Sequence, residues 1–249
     1  MRGAPRPASA LILLLNPGTL LNTGWSMQAM KTLTDDRLKT PRAAAVAGIA
    51  FSVLFIITLV LLRTAVPELS QDTGTWLARN LKSVAFAIYL LPFAGIAFLW
   101  FIGVLRDRMG AQEDRFFATV FMGSGLLFVA LLFVAGAIVG GIIMAFDSRP
   151  DRVVESGIYA FGRAAAYQLI NIYAVKMAAV FMISASTIAI RTRIFPRWMA
   201  WLGYVLALLL LFSTGYVFFW APLVLPLWVL LVSVNILLSN LKSVPASDA

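Results

Sequence analysis

Lys176 is the one ionisable side chain within a long apolar stretch of this sequence, and its amine is the group there best suited to chemistry. Gln168, Asn171 and Tyr173 precede it and bring further polar groups to the same half of the stretch. Ionisable residues in membrane spans are costly, and they often mark ion or substrate sites. These four residues therefore form a candidate polar cavity, in which Lys176 holds an anion or acts as a proton-linked amine.

The position of Lys176 also allows a structural interpretation. About 20 apolar residues cross a membrane, and counting that many back from Arg191 places the edge of the span at Asn171. Lys176 then lies about 8 Å inside that edge, at 1.5 Å per residue. A lysine stem extends roughly that far and can place its ammonium among the headgroups. The sequence leaves both interpretations open.

The residue types that most enzymes use are missing. The chain has no cysteine and no histidine, which excludes the usual zinc and haem sites, thiol nucleophiles, Ser-His triads and disulfides. The acids Glu68, Asp72, Asp147, Asp151 and Glu155 lie between spans on one side, and their spacing indicates neither a metal site nor an acid–base pair. We therefore predict no catalytic site, no metal and no cofactor, and a protein that is not an enzyme.

The composition is that of a membrane protein. Of the 249 residues, 61% are hydrophobic and only 12% are charged, whereas a soluble domain is about half apolar and about a quarter charged. The net charge of +9 comes from basic residues that lie beside the apolar stretches. They do not form a stripe with aromatic residues, so we predict a lipid bilayer as partner and no nucleic acid.

Six apolar stretches predict an all-α bundle of six transmembrane spans, because each is long enough to approach or exceed the thickness of the hydrocarbon. Spans one to six are predicted at residues 43–62, 84–105, 116–146, 166–190, 198–219 and 223–239. The transmembrane domain then covers residues 43–240, and residues 241–249 form a cytoplasmic tail. Residues 1–42 form an N-terminal cytoplasmic segment, predicted to be partly disordered or interfacial.

Lysine and arginine are distributed unevenly between the two sides of this bundle. With the N-terminus in the cytoplasm, thirteen of the 20 basic residues lie on the cytoplasmic side, six lie opposite, and Lys176 lies within span four. Because cytoplasmic loops are enriched in Lys and Arg, both termini are predicted to be cytoplasmic. The predicted location is the inner cell membrane.

Glycine and proline indicate how the spans pack. Gly136 and Gly140 of span three form a small-xxx-small pair, which lets another helix approach closely, in the same chain or in another membrane protein. Pro92 in span two and Pro226 in span six are predicted kink points, because proline removes a backbone donor.

Three segments carry a loose likeness to known sequences: Pro196–Gly203, which opens span five, Pro226–Ser233 in span six, and Pro41–Gly48 before span one. Through them, residues 41–240 resemble a group of uncharacterised bacterial six-span integral membrane proteins, of the domain-of-unknown-function type. The resemblance implies a bacterial six-helix bundle. It implies no activity.

Three classes of function stay open. A non-catalytic membrane subunit or scaffold best fits the low polarity of the spans, and it would pack through span three with itself or with a membrane-protein partner. A small-solute transporter or permease with a polar site on span four is the alternative, although the two halves of the chain show no obvious repeat of the kind that many transporters have. A membrane-embedded enzyme or sensor is the second alternative.

Overall fold

The computed structural model describes residues 25–66, 76–109, 115–148, 157–192, 195–213 and 220–242; for 25–42, 76–78, 107–109, 115 and 240–242 it describes the backbone alone. Several predictions lie outside the described residues: the segment 1–24, the tail from 243 onward, and the acids Glu68, Asp72, Asp151 and Glu155. The chain divides into two compact units, residues 1–40 and 41–249. Of the first unit, residues 25–40 are described and are helical.

Every described element is a helix, which confirms the predicted all-α class. The elements are α1 (Trp25–Ala65), α2 (Trp76–Met109), α3 (Arg115–Ser148), α4 (Gly157–Gln168), a π-helical turn (Leu169–Ala174), α5 (Val175–Thr192), α6 (Arg197–Phe212), a 3-10 turn (Ala221–Leu223) and α7 (Val224–Lys242). Because α4, the π-helical turn and α5 follow one another without a break, they form a single long helical segment.

Five helical stretches among the described residues are long and apolar enough to cross a membrane. They are Ala43–Ala65, Arg79–Arg106, Phe116–Ser148, Gly157–Thr192 and Ala221–Ser239. These stretches correspond to predicted spans one, two, three, four and six, and they support a multi-pass membrane protein. Span five corresponds to α6, which is apolar but has only 16 residues. At 1.5 Å per residue α6 is about 24 Å long, shorter than a hydrocarbon core of about 30 Å.

The chain leaves the helical conformation after Phe212, earlier than the predicted end of span five at residue 219. Ser213 has φ −64° and ψ 135°, which is an extended conformation, and its N–H donates to the carbonyl of Leu209. The Ser213 hydroxyl donates to the carbonyl of Leu210 at 2.9 Å. Both bonds satisfy carbonyls in the last turn of α6, and residues 214–219 lie outside the described part of the chain.

The two prolines occupy different positions in their helices. Pro92 lies inside α2, where a missing N–H interrupts the hydrogen-bond ladder. Pro226 is the third residue of α7, which begins at Val224. Since the first four N–H groups of a helix have no intrahelical partner, proline at that position removes no helical hydrogen bond. Pro226 therefore belongs to the start of its helix, not to a kink within it.

A cluster of phenylalanine rings joins four helices at the centre of the second unit. Phe98 of α2 is fully buried, and its ring centroid lies 4.5 Å from that of Phe51 in α1, 5.3 Å from that of Phe128 in α3 and 5.1 Å from that of Phe181 in α5. Rings at these separations attract one another beyond the gain from burial. Phe98 therefore links α1, α2, α3 and α5.

Two glycines bring α7 close to its neighbours. A side chain at Gly48 of α1 would collide with the hydroxyl of Ser233, and a side chain at Gly203 of α6 would collide with the hydroxyl of Ser186 and lie 3.0 Å from the indole nitrogen of Trp228. That indole donates to the carbonyl of Met199 at 3.3 Å. Helices pack this closely in membranes where one partner has a small residue. Gly48 and Gly203 thus lie directly against side chains of α7.

Candidate functional site at the end of α6

The ammonium of Lys176 lies against the C-terminal end of α6. Its Nζ donates to the carbonyls of Leu210, at 3.1 Å, and Ser213, at 2.7 Å, and also to the carbonyl of Leu211. A lysine ammonium has three N–H donors, so all three are used. Lys176 therefore caps α6 from a neighbouring helix.

The physical need for this cap follows from the end of α6. The last four carbonyls of a helix have no intrahelical partner, and a backbone group without a hydrogen bond costs several kcal/mol in hydrocarbon. The C-terminal end of a helix also carries about half a negative charge. A cation that donates hydrogen bonds meets both requirements, and the ammonium of Lys176 is such a cation.

The register of two antiparallel helices brings Lys176 to this place. The part of α5 from Lys176 to Thr192 has about the same number of residues as α6, which runs from Arg197 to Phe212. Because α5 and α6 pack along each other and are joined by a connection of four residues, 193–196, the level of Lys176 matches the end of α6. Lys176 therefore lies at the level of the bundle at which the short helix α6 ends.

A second polar contact ties α1 to the π-helical turn. Nη2 of Arg63, near the end of α1, donates to Oδ1 of Asn171 at 2.5 Å, and Nδ2 of Asn171 donates to the carbonyl of Tyr167 at 2.9 Å. Asn171 is only 3% exposed, so both ends of its amide are satisfied within the protein. Turns of π-helix are rare and frequently lie at functional sites.

The four residues of the candidate polar cavity have different surroundings. Lys176 contacts α6 and Asn171 contacts α1, as described above. Gln168 is half-buried at the end of α4, and Tyr173 is 58% exposed. Within the described residues, Lys176 and Asn171 therefore serve two separate contacts, while Tyr173 lies on the surface; a cavity that all four share stays a prediction.

The two small cavities beside this region are apolar. One has a volume of about 10 Å³ and the other about 20 Å³, and a water molecule needs about 10 to 15 Å³ of such space. Phe55, Leu132 and Ile170 line both cavities. Thr58 also lines the larger cavity, where its hydroxyl donates to the carbonyl of Leu54 on its own helix. Each cavity has room for about one water molecule and few groups to hold it.

The described residues bring together no group of three or more His, Cys, Asp or Glu that could hold a metal ion. Of the five acids considered in the sequence, only Asp147 is described. It is exposed at the end of α3.

Gly136 and Gly140 of α3 lie in different environments. A Cβ at Gly136 would lie 2.8 Å from a methyl carbon of Leu91 in α2, so this glycine packs within the same chain. A Cβ at Gly140 would meet no atom within 4 Å among the described residues. Contact of Gly140 with a second membrane protein stays a prediction.

Sequence patterns missed the partners of these candidate residues. Arg63 directly follows the predicted end of span one at residue 62, and the predicted end of span five at residue 219 lies beyond Ser213. In principle, a polar residue in one span that lies level with the end of a shorter neighbouring span indicates that the residue contacts that end. Using it requires the registers of α1, α5 and α6, which hydropathy does not give.

Comparison of the chain with protein-family models, with curated proteins and with solved structures finds no match. The resemblance to uncharacterised bacterial six-span proteins therefore stays a prediction.

The contact between Arg63 and Asn171 is expected to stabilise the fold. In a double-mutant cycle with Arg63→Met and Asn171→Leu, we expect a coupling free energy of about 1 to 2 kcal/mol, because residues in direct contact are not additive. Thermal unfolding in detergent measures it. The control pair is Arg63→Met with Thr187→Val, whose hydroxyl lies 2.7 Å from that of Tyr204 in a separate contact. Additive effects of Arg63→Met and Asn171→Leu would contradict the prediction.

Proposed function

We propose that this chain is a six-span integral protein of the bacterial inner membrane, with both termini in the cytoplasm, and that it serves as a non-catalytic membrane subunit or scaffold. The observation that carries the proposal is the use of the polar groups within the spans. Lys176 is bound to three carbonyls and Asn171 to Arg63 and Tyr167. A static packed bundle needs these contacts, whereas a solute site would need polar groups left for the solute.

The packing of the centre supports the same proposal. Beside the phenylalanine cluster lie two small apolar cavities of about 10 and 20 Å³, and Gly48 and Gly203 lie directly against neighbouring side chains. A drug-sized ligand needs a pocket of about 300 Å³ or more. These two cavities are therefore too small for such a solute, which favours a role in holding helices together.

The absence of native cysteine allows a direct test of the topology. Asp147, Arg197 and Ser239 are exposed positions that accept single cysteine substitutions. In intact cells we expect a membrane-impermeant maleimide to label Asp147→Cys, and to label Arg197→Cys and Ser239→Cys only after permeabilisation. Labelling of both Asp147→Cys and Ser239→Cys from outside would mean that α6 does not cross the membrane. Labelling of Arg197→Cys and Ser239→Cys, but not of Asp147→Cys, would reverse the proposed orientation.

The packed interior is tested with cysteines at the smaller cavity. Ala174 and Ala178 line it and are 1% and 2% exposed, so Ala174→Cys and Ala178→Cys are small changes at buried positions. We expect neither to react with a small hydrophilic thiol reagent under conditions in which Asp147→Cys reacts fully. Reaction at Ala174 or Ala178 in the native membrane would contradict the scaffold proposal and favour a water-filled pathway.

One observation favours transport as the second candidate. The π-helical turn and the early end of α6 are interruptions of membrane helices, and transporters often place ion or substrate sites at such interruptions. A transporter would have to release Lys176 or Asn171 from its contacts during the cycle. The labelling of Ala174→Cys described above decides between the two proposals.

A further inference from the structure

We propose that the C-terminal end of α6 is a binding site for a small monovalent cation, and that the protein fills this site with the ammonium of its own residue Lys176. The site consists of the carbonyl oxygens of Leu210, Leu211 and Ser213, which converge on Nζ of Lys176. A Lys176 variant with a shortened side chain should therefore bind ammonium from solution.

The arrangement of the oxygens supports a cation site and not a chance contact. Three main-chain carbonyls from one helix end point to a single position, and the distances of 3.1 Å for Leu210 and 2.7 Å for Ser213 are within the range of hydrogen bonds, the shorter one having the length of a charged bond. Ends of interrupted helices use unwound backbone carbonyls in this way to coordinate cations in membrane proteins. Carbonyl oxygens then replace the hydration shell of the ion.

The extended conformation of Ser213 builds the site. With ψ of 135°, this residue turns out of the helix while its carbonyl still reaches the ammonium that Leu210 and Leu211 also bind. The Ser213 hydroxyl donates to the carbonyl of Leu210, which fixes the last turn. In a helix that continued past this point, these carbonyls would accept N–H groups of the following turn and would not be available.

The charge of the site also requires a cation. The end of a helix carries a partial negative charge, and no acidic residue of the sequence lies within the predicted spans. A monovalent ion therefore suits this site, whereas a divalent ion lacks the carboxylates that it prefers. The tether to α5 makes the bound cation permanent, so the wild-type protein needs no ion from solution.

Thermal unfolding of the purified full-length chain in detergent tests this proposal. Lys176→Ala removes the tethered cation and leaves room for a free one. We expect the variant to unfold at a lower temperature than the wild type. Ammonium chloride should then raise its midpoint with the logarithm of the salt concentration, by about 4 °C at tens of times the Kd for a chain of this length.

Tetramethylammonium chloride at the same ionic strength is the matched salt control, because this ion has the charge but no N–H donor. Lys82→Ala, at an exposed lysine of α2, is the matched protein control. A rise of the Lys176→Ala midpoint that is specific to ammonium and absent from Lys82→Ala supports the site. Equal midpoints in both salts overturn it.

A measurement on the wild type keeps the proposal testable if Lys176→Ala does not fold. Reductive methylation attacks amines that are free to react, so we expect mass spectrometry of the native protein to find Lys176 at least tenfold less modified than Lys82. Denaturation before the reaction should remove the difference. Equal methylation of both lysines in the native protein would show that the carbonyls do not hold the ammonium.

Discussion

Lys176→Met is expected to lower the free energy of unfolding by about 2 to 4 kcal/mol, which is one of the largest effects of a single substitution in this chain. Methionine has a similar volume but no donor, so the carbonyls of Leu211 and Ser213 lose the ammonium as their partner, while the carbonyl of Leu210 keeps the Ser213 hydroxyl. Each buried acceptor left without a partner costs about 1 to 3 kcal/mol. Thermal or denaturant unfolding in detergent measures the loss.

The matched control is Lys82→Met at an exposed position of α2, which removes the same charge without removing a helix cap. We expect its stability to stay within about 0.5 kcal/mol of the wild type, as for most surface substitutions. Lys176→Arg should recover part of the loss, because the guanidinium still donates hydrogen bonds. If Lys176→Met were as stable as Lys82→Met, the cap would have no energetic role, and snorkelling to the headgroups would be the better interpretation.

Phe98→Ala is expected to destabilise the bundle by about 3 to 5 kcal/mol, the range measured for large aromatic residues truncated in well-packed cores. Phe98 is fully buried and contacts the rings of Phe51, Phe128 and Phe181 on three other helices. Its removal leaves a cavity at the centre of the bundle. It also removes ring contacts with three other helices, and no other residue of this cluster makes ring contacts with as many. The midpoint of thermal unfolding should fall accordingly.

Phe93→Ala provides the control on the same helix, because Phe93 is 48% exposed. We expect the free energy of unfolding to fall by less than about 1 kcal/mol, since this ring faces lipid or detergent and makes few contacts with protein. Similar losses for Phe93→Ala and Phe98→Ala would mean that helix propensity and not core packing determines the stability. The comparison thus tests the burial of α2 in the bundle.

The sequence by itself determined the class of the protein and the location of most helices. Hydropathy is summed over about 20 consecutive residues, so it does not depend on what the helices contact. For that reason spans one, two, three, four and six coincide with helical stretches that are long enough to cross a membrane. The sequence also predicted that Gly136 allows the close approach of another helix, and Gly136 does lie against Leu91 of α2.

Only the tertiary structure decided where α6 ends and what Lys176 does. The apolar sequence continues past Phe212, so hydropathy placed no boundary there. The helix α6 nevertheless ends at Phe212, where Lys176 of α5 donates hydrogen bonds to carbonyls at the end of α6. Likewise, Arg63 and Asn171 are separated by 108 positions. Such contacts depend on the register and rotation of packed helices, which many side chains set together. A local pattern shows that a polar group needs a partner, but the packed bundle selects which one it receives.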